Sequence, residues 1–335
     1  MNKLLLNVSE LTTYYKTRLN EKIYAVDRVT FALESGKIIG IAGESGCGKS
    51  TLALSLMGFY FPPLYYNSGS ILINDIDIMK IKYASLRKLF LGKEIAYIPQ
   101  SAMNALNPTK KIFKFIRDIM KGHDHKLPTS KIKDIAINRF RTLNLPERVL
   151  YSFPNELSGG MKQRVVIAIS TILNPKILIA DEPTSALDVS SQRIVLDLLK
   201  DLMNKNFVQS IIFITHELPI LKSISTDIMI MYAGEIIEKG KVNDVIFDPI
   251  HPYSKALMGA IIVPEYGMKN QKLTAIQGTP PNLKNKLTGC RFAKRCKYVI
   301  PECTKTDIQD KYFKTRPYKC IFDYTKLKEI NKYEK

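Results

Sequence analysis

The chain has 335 residues, 45% of them hydrophobic, so it can bury one large core with a smaller unit beside it, or form two domains. Its 50 Lys and Arg residues against 31 Asp and Glu residues give a net charge of +19. That charge favours anionic partners such as nucleotides, nucleic acids or a cytoplasmic membrane face, although a lysine-rich composition explains it equally well. Apolar stretches such as Val165–Leu173 are too short to cross a bilayer, and the leucines of residues 4–6 are too few for a secretory signal. We therefore expect a protein of the cytosol.

Two antiparallel strands are predicted at the start of the chain, over Leu4–Leu11 and Tyr24–Leu33, joined by a charged turn at residues 16–22. Tyr14, Tyr15 and Tyr24 lie in this region. An aromatic ring near a nucleotide site can stack on adenine, but tyrosines are also common in ordinary strand packing. The spacing alone does not choose between the two.

The segment Gly43–Thr51 (GESGCGKST) fits the phosphate-loop pattern G-x-x-x-x-G-K-[ST]. Lys37–Ala42 predicts a strand before it and Thr51–Met57 a helix after it, which places phosphates at a helix N-terminus. Lys49 supplies a cation for the β- and γ-phosphates, and Ser50 supplies a hydroxyl for Mg²⁺. The residues expected to contact the nucleotide here are Gly43, Glu44, Ser45, Gly46, Cys47, Gly48, Lys49, Ser50 and Thr51, with Cys47 a tolerated variable position.

The next part of the chain predicts a turn and strand over residues 67–74, a short helix over Ser85–Phe90 and a strand over Glu94–Gln100. Residues 110–150 show helical periodicity and predict a helical insertion. His123–His125 falls in the loop of this insertion. Two His and one Asp in a row are too few for a metal site, so a solvated loop is expected.

The segment Leu157–Arg164 opens a helix predicted to run to about Leu173. Ser158 stands before Gly159 and Gly160 at its start, where a hydroxyl and bare N–H groups can bind an anion. A plain helix N-cap is the alternative.

Two apolar runs predict buried parallel strands that end in chemically active side chains. Lys176–Glu182 ends in two carboxylates, of which Asp181 suits the Mg²⁺ shell and Glu182 suits a base or orienter for the attacking water. The second run, residues 209–216, ends in His216. Its convergence on the same sheet edge favours a functional role over a structural one.

Residues 227–239 predict a hairpin, and from about residue 241 the pattern changes. Helices over Asn243–Phe247 and Tyr253–Ile262 lead into a loop-rich tail. That tail holds Cys290, Cys296, Cys303 and Cys320, separated by five, six and sixteen residues. The spacing lacks the C-x-x-C pairs of zinc ribbons, and a reducing cytosol disfavours disulfides. Four thiolates here suit an iron–sulfur cluster or zinc, with unligated cysteines as the alternative.

Taken in order, these motifs resemble the nucleotide-binding subunit of an ABC transporter over residues 3–240. The resemblance implies that Gly43–Thr51 is the Walker A loop, that Asp181 and Glu182 are Walker B and the catalytic glutamate, and that His216 is the switch histidine. The remaining implied matches are Gln100 to the Q-loop glutamine, Ser158, Gly159 and Gly160 to the signature, Asp188 in Ser185–Asp188 to the D-loop, and Tyr15 to the adenine-stacking aromatic residue.

A narrower resemblance joins the rest of the chain to the ATPases of oligopeptide/dipeptide importers. It rests on residues 99–108, 251–257 and 278–283 and on the four cysteines, which hold a [4Fe–4S] cluster in some members. The family implies a paralogous or identical ATPase partner, two transmembrane permease subunits and an extracytoplasmic solute-binding protein, with the chain at the cytoplasmic face of the membrane. Related importers carry oligosaccharides, so either solute class is compatible with the resemblance.

The resulting fold prediction is an α/β P-loop NTPase of the ABC type. It has an antiparallel β subdomain, a helical subdomain at about residues 101–170 within a domain of residues 1–240, and a Cys-containing extension over residues 241–335. The resemblance implies ATP and Mg²⁺ as cofactors, with the [4Fe–4S] cluster or Zn²⁺ in the extension. The implied catalytic residues are Lys49, Gln100, Glu182 and His216, and the implied Mg²⁺ ligands are Ser50, Gln100 and Asp181, with the signature acting on the facing chain.

A soluble ABC ATPase acting on nucleic acid is the alternative. The single phosphate loop and short insertion argue against it, so no nucleic-acid partner is expected.

Overall fold

The computed structural model describes residues 3–185, 187–260, 276–284 and 287–332, and the strands in these ranges form two sheets. The strands are β1 (Leu4–Lys16), β2 (Lys22–Glu34), β3 (Ile38–Ala42), β4 (Leu64–Ile73), β5 (Ile76–Asp77), β6 (Ile95–Ile98), β7 (Ile177–Asp181), β8 (Ser210–Ile214), β9 (Asp227–Tyr232), β10 (Glu235–Lys241), β11 (Lys311–Phe313) and β12 (Arg316–Tyr318). The α-helices are α1 (Lys49–Leu56), α2 (Tyr83–Leu89), α3 (Ile112–His123), α4 (Thr129–Thr142), α5 (Gly159–Ser170), α6 (Val189–Asn204), α7 (Leu218–Ile224), α8 (Val242–Phe247), α9 (Pro252–Gly259), α10 (Glu302–Lys305) and α11 (Tyr324–Lys332).

The smaller sheet is antiparallel, with the strand order β2-β1-β4-β5. Its first two strands are longer than predicted, because irregularities in the register let the pairing continue as far as Lys16 and Lys22. The predicted turn at residues 67–69 is wrong. These residues lie inside β4, where Gly69 has a φ of +103° and a Cβ on it would lie 2.6 Å from the carbonyl oxygen of Glu10. This glycine permits close approach within a strand rather than ending one.

The larger sheet has the order β11-β12-β10-β9-β3-β8-β7-β6, and its strands from β9 to β6 are parallel. Every residue of β3, β7 and β8 is buried. Continuous apolar runs suit strands covered on both faces, so the apolar pattern predicted these three strands well.

The helical insertion predicted over residues 110–150 is confirmed as α3 and α4, and the separately predicted helix α5 follows them before β7. α3 buries Ile112, Ile116 and Met120, whose spacing of four residues places them on one face. His123 ends α3 rather than lying in the loop, and its ring Nδ1 is 3.3 Å from the carbonyl oxygen of Lys88.

The description of the tail as loop-rich is incomplete. β12 pairs with β10 and so extends the larger sheet, and α11 follows it. A buried ion pair between Arg316 and Glu238, at 2.7 Å, fixes this junction. Residues 261–262 of the predicted helix after Tyr253 lie outside the described residues. In the described parts of the chain, no helix has both the length and the hydrophobicity that a membrane crossing requires.

Candidate functional site

The side chains predicted to act on a nucleotide lie along one edge of the larger sheet. β3 leads into the phosphate loop, β7 ends at Asp181, β8 ends two residues before His216 and β6 ends two residues before Gln100. These strands are parallel and adjacent in the order β3-β8-β7-β6. Because parallel strands end at the same edge, the four features meet there, at the edge where α/β sheets bind ligands.

The phosphate loop is packed against its surroundings so closely that two of its glycines tolerate no side chain. A Cβ on Gly43 would lie 2.1 Å from the carbonyl oxygen of Met231 in β9. A Cβ on Gly48, which has a φ of +108°, would lie 2.0 Å from the carbonyl oxygen of Ala25 in β2. The loop is therefore fixed between both sheets.

The Lys49 side chain is buried at the first residue of α1. Its ammonium group donates to the carbonyl oxygens of Gly43 and Glu44 at 2.8 and 3.0 Å. A buried cation and the N-terminal N–H groups of α1 lie together at the loop, which is an arrangement that attracts phosphate groups.

Asp181 is fully buried at the end of β7. The hydroxyl of Tyr97 donates to its Oδ2 at 3.0 Å, while Oδ1 has no hydrogen-bond partner of good geometry among the described residues. Burial raises the pKa of Asp181, and the nearby hydroxyls of Ser50 and Tyr97 oppose that shift. A buried carboxylate oxygen without a partner, close to a serine hydroxyl, fits a Mg²⁺ ligand set.

Glu182 follows in a left-handed conformation with a φ of +47°, and its N–H donates to the carbonyl oxygen of Ile214 at 2.8 Å. Both oxygens of its carboxylate have partners. Oε1 lies 2.9 Å from Nδ1 of His216, and Oε2 accepts from Nε2 of Gln100 at 3.0 Å. The structure thus brings together three of the predicted catalytic residues around one carboxylate.

The signature residues lie at the start of α5. Ser158 is the N-cap, and its Oγ accepts from the N–H of Met161 at 3.3 Å. At Gly160 there is open space where a Cβ would be. Within the described ranges, no hydrogen bond joins Ser158, Gly159 or Gly160 to the phosphate loop of the same chain.

Asp188 is the N-cap of α6, and both of its oxygens accept hydrogen bonds from Ser191, at 2.9 and 2.7 Å. These bonds hold the pKa of Asp188 below its usual value. Ala186, in the predicted D-loop, lies outside the described residues.

Comparison with known proteins decides the family. Residues 26–185 match the family model described as ABC transporter, and residues 237–303 match the one described as oligopeptide/dipeptide transporter, C-terminal region. Over 299 residues, covering 88% of this chain and 82% of the relative, the sequence is 40% identical to the oligopeptide transport ATP-binding protein OppD of Bacillus subtilis. The chain belongs to the oligopeptide/dipeptide family of ABC transporter ATP-binding proteins.

Other comparisons agree with this assignment. The ABC ATPase is 34% identical to OppD of Escherichia coli over 322 residues, covering 95% of this chain and 93% of that protein. Among solved structures, a dimeric ATP-binding cassette with bound ADP and inorganic phosphate aligns with a TM-score of 0.62 at 26% identity, covering 71% of this chain and 98% of that one. The predicted ABC ATPase fold is confirmed.

The three tyrosines considered for adenine stacking in this ABC ATPase differ in their surroundings. The hydroxyl of Tyr15 lies 3.2 Å from Oγ1 of Thr51, directly beside α1. The Tyr14 ring stacks on Tyr65 with centroids 5.7 Å apart and also contacts Tyr24. Tyr15 therefore stays the best placed of the three, since Tyr14 and Tyr24 pack on other rings.

The four cysteines of the extension approach one another but form no ready metal site. Burial, with smaller contributions from neighbouring thiols of the same set, raises the pKa of Cys290 to about 12 and that of Cys320 to about 11. The N–H of Cys290 donates to the carbonyl oxygen of Cys303 at 2.7 Å. In the described residues, no three or more His, Cys, Asp or Glu side chains are arranged to hold a metal ion, and the cysteines are free.

Sequence reasoning missed three residues that contact the site. Tyr97 in β6 resembles an ordinary strand residue, and its bond to Asp181 spans 84 positions. Tyr253 and Arg295 both contact Glu44 of the phosphate loop, from more than 200 positions away. Tyr253 lies in residues 251–257 and Arg295 stands next to Cys296, so both belong to segments of the family resemblance, which was the signal available for them in the sequence.

Proposed function

We propose that the chain hydrolyses ATP to power the import of oligopeptides or dipeptides across the cytoplasmic membrane. The observation that carries the proposal is the convergence of Lys49, Asp181, Glu182 and His216 at one sheet edge, in a chain whose relatives are named oligopeptide and dipeptide transport ATP-binding proteins. The phosphate loop and the carboxylates supply the parts needed for phosphoryl transfer to water.

Lys49 and the N-terminus of α1 would bind the β- and γ-phosphates, and Tyr15 would stack on the adenine. Ser50, Asp181 and Gln100 would hold Mg²⁺, and the partnerless Oδ1 of Asp181 supports this assignment. Mg²⁺, when bound, neutralises charge on the phosphate oxygens.

Glu182 would orient the attacking water and accept its proton. His216 and Gln100 each contact one of its oxygens, so the carboxylate is held in one orientation. A fixed base within hydrogen-bond reach of the water contributes about 10²- to 10⁴-fold to the rate.

Ser158, Gly159 and Gly160 would cap the γ-phosphate bound on a facing ATPase chain, with Asp188 nearby. Ser158 and Gly159 are exposed at the start of α5, and among the described residues no hydrogen bond joins the signature to the phosphate loop of its own chain, which supports this arrangement. The facing chain would be a paralogue or a second copy. ATP would then join the two chains, and hydrolysis would release them.

We further propose that Cys290, Cys296, Cys303 and Cys320 bind a [4Fe–4S] cluster, or alternatively Zn²⁺. The four thiols lie close enough together that the charges of the others help to raise the pKa values of Cys290 and Cys320, and this proximity supports a shared site. Since no group that could hold a metal stands ready in the described residues, the thiols would have to shift and lose their protons on binding. Anaerobic purification with iron and zinc counted is the test. About four irons per chain supports the cluster, one zinc replaces it, and neither metal refutes the proposal.

The remaining partners would be two transmembrane permease subunits and an extracytoplasmic solute-binding protein, with this chain peripheral to the cytoplasmic face of the membrane. Gln100 precedes the helical insertion directly and contacts Glu182, so it could transmit the state of the nucleotide to the permease.

The test is ATP hydrolysis by the complex of this chain with its partner ATPase and the two permease subunits in lipid nanodiscs. The proposal predicts that the solute-binding protein stimulates hydrolysis when loaded with di- to hexapeptides and not when loaded with oligosaccharides. Stimulation only by the oligosaccharide-loaded binding protein would show that the imported solute is an oligosaccharide and not a peptide. Stimulation of the isolated chain by RNA or DNA, lost at high salt, would favour the nucleic-acid alternative.

A further inference from the structure

The C-terminal extension contacts the phosphate loop through an ion pair. The guanidinium of Arg295 binds the Glu44 carboxylate in two-pronged geometry, with Nη1 2.6 Å from Oε2 and Nη2 2.9 Å from Oε1. The Arg295 side chain is 4% exposed and that of Glu44 is 25% exposed. Paired planar hydrogen bonds between charged groups are the strongest kind that side chains form.

The surroundings of Arg295 hold it in this position. Its Nε donates to the carbonyl oxygen of Gln277 at 2.9 Å, Nη2 to that of Ile276 at 3.2 Å, and Nη1 to the hydroxyl of Tyr232 at 3.3 Å. Glu44 is the only carboxylate within ion-pair distance of this guanidinium among the described residues. The pair is therefore a built contact and not a chance meeting of two mobile side chains.

The backbone of Glu44 connects this pair to the phosphate-binding lysine. Its N–H donates to the Tyr253 hydroxyl at 2.9 Å, and its carbonyl oxygen accepts from the Lys49 ammonium at 3.0 Å. Arg295 thus holds the side chain of the residue whose backbone Lys49 contacts. Any displacement of Glu44 would move a partner of the lysine that binds the phosphates.

Charge gives Arg295 a second effect. Glu44 places a negative charge inside a loop that has to accept a triphosphate, and like charges near one another repel at a partly buried site. The guanidinium of Arg295 neutralises that charge. Without it, the loop would present an unpaired carboxylate to the nucleotide.

We propose that Arg295 is a positioning residue of the ATP site, which fixes and neutralises Glu44 so that the affinity for ATP depends on the C-terminal extension. This inference rests on the proposed ATP binding and deepens it. The extension is then a structural part of the nucleotide site, and Arg295 acts through Glu44 without touching the nucleotide.

The test measures the Kd for Mg-ATP of the full-length protein by equilibrium titration, and kcat at saturating ATP, for four variants. Arg295→Gln should raise the Kd by about tenfold or more and change kcat by no more than about twofold. Arg295→Lys keeps the charge but loses the paired geometry, so its Kd should lie between that of the unaltered protein and that of Arg295→Gln. Adding Glu44→Gln to Arg295→Gln removes the unpaired carboxylate and should recover much of the lost affinity.

Asp307→Asn is the matched control. Asp307 forms a similar two-pronged pair with Arg28, at 2.6 and 3.0 Å, which also joins the extension to the rest of the chain but does not contact the phosphate loop. Its Kd for Mg-ATP should be unchanged. Iron and zinc are counted in every variant, because Arg295 adjoins Cys296.

A Kd for Arg295→Gln equal to that of Asp307→Asn would overturn the inference, as would a double variant that binds no better than Arg295→Gln. If Arg295→Gln does not fold, Arg295→Lys carries the test. A rise of about threefold or more is then expected, and a Kd equal to that of the control is contradictory. Absence of Mg-ATP binding by the unaltered protein would instead refute the proposed function itself.

Discussion

Replacing Glu182 by Gln tests the proposed base with little disturbance of the structure. A glutamine can keep both contacts of the carboxylate, because its carbonyl oxygen can accept from Nε2 of Gln100 and its amide can donate to Nδ1 of a neutral His216. The N–H of residue 182 keeps its bond to Ile214. The change in the free energy of unfolding should therefore stay below about 1 kcal/mol.

The same change removes the group that would accept the proton of the attacking water. Loss of a positioned base slows a reaction by about 10²- to 10⁴-fold, which corresponds to about 3 to 5 kcal/mol of activation free energy. We expect kcat to fall by that factor while the Kd for Mg-ATP stays within about twofold, because Lys49, Ser50 and Asp181 remain in place.

The assay is single-turnover hydrolysis of radiolabelled ATP, with Glu217→Gln as the matched control. Glu217 lies next to His216, but its Oε1 is 3.3 Å from Nε2 of Gln192 on α6 and it does not contact Glu182 through a described hydrogen bond. The control should hydrolyse ATP at the normal rate. Equal rates for the two variants would refute the role of Glu182.

Three further predictions use other parts of the chain. Gly160→Ala should raise the free energy of unfolding by about 0.5 to 1 kcal/mol, since the added methyl meets open space in a helix, but should weaken ATP-dependent association in light scattering; undiminished association would argue against the signature acting on a facing chain. Gly48→Ala should abolish ATP binding in a nucleotide titration because of the clash with Ala25. Gly46→Ala, with open space around it, should lower the free energy of unfolding by about 1 to 2 kcal/mol and keep most of the ATP binding. Weaker ATP binding by Gly46→Ala than by Gly48→Ala would contradict the loop geometry. Burial lowers the pKa of His251 from 6.5 to about 3, so the unfolded chain binds an extra proton below pH 6.5 and the free energy of unfolding decreases as the pH falls below that value. By chemical denaturation, the free energy lost between pH 7 and pH 5 should be about 2 kcal/mol smaller in His251→Asn than in the unaltered chain. An equal loss in the two proteins would contradict a buried neutral ring.

The parts of the site that the sequence predicted are those carried by short contiguous segments. β3, β7 and β8 are uninterrupted apolar runs, and each is followed by its functional residues within a few positions. A phosphate loop between a strand and a helix is equally local. Because parallel strands end at a common edge, the predicted strands also predicted which side chains would meet.

The parts that escaped prediction depend on contacts between distant positions. The ion pair between Glu44 and Arg295 joins residues 251 positions apart and leaves no periodic pattern. The first part of β4 escaped prediction because a glycine such as Gly69 usually signals a turn, whereas here it allows close approach to Glu10. β11 and β12 have three residues each, too few to show an alternating pattern, although they extend the larger sheet.

Uptake of a labelled peptide into proteoliposomes tests directly whether this chain powers peptide import. The vesicles would contain this chain with its partner ATPase and the two permease subunits, with ATP on the side of the ATPases and the peptide-loaded binding protein on the other. We expect peptide to accumulate across the membrane with the unaltered chain and not with Glu182→Gln. No ATP-dependent peptide movement with the unaltered chain, in vesicles where ATP is being hydrolysed, would contradict it.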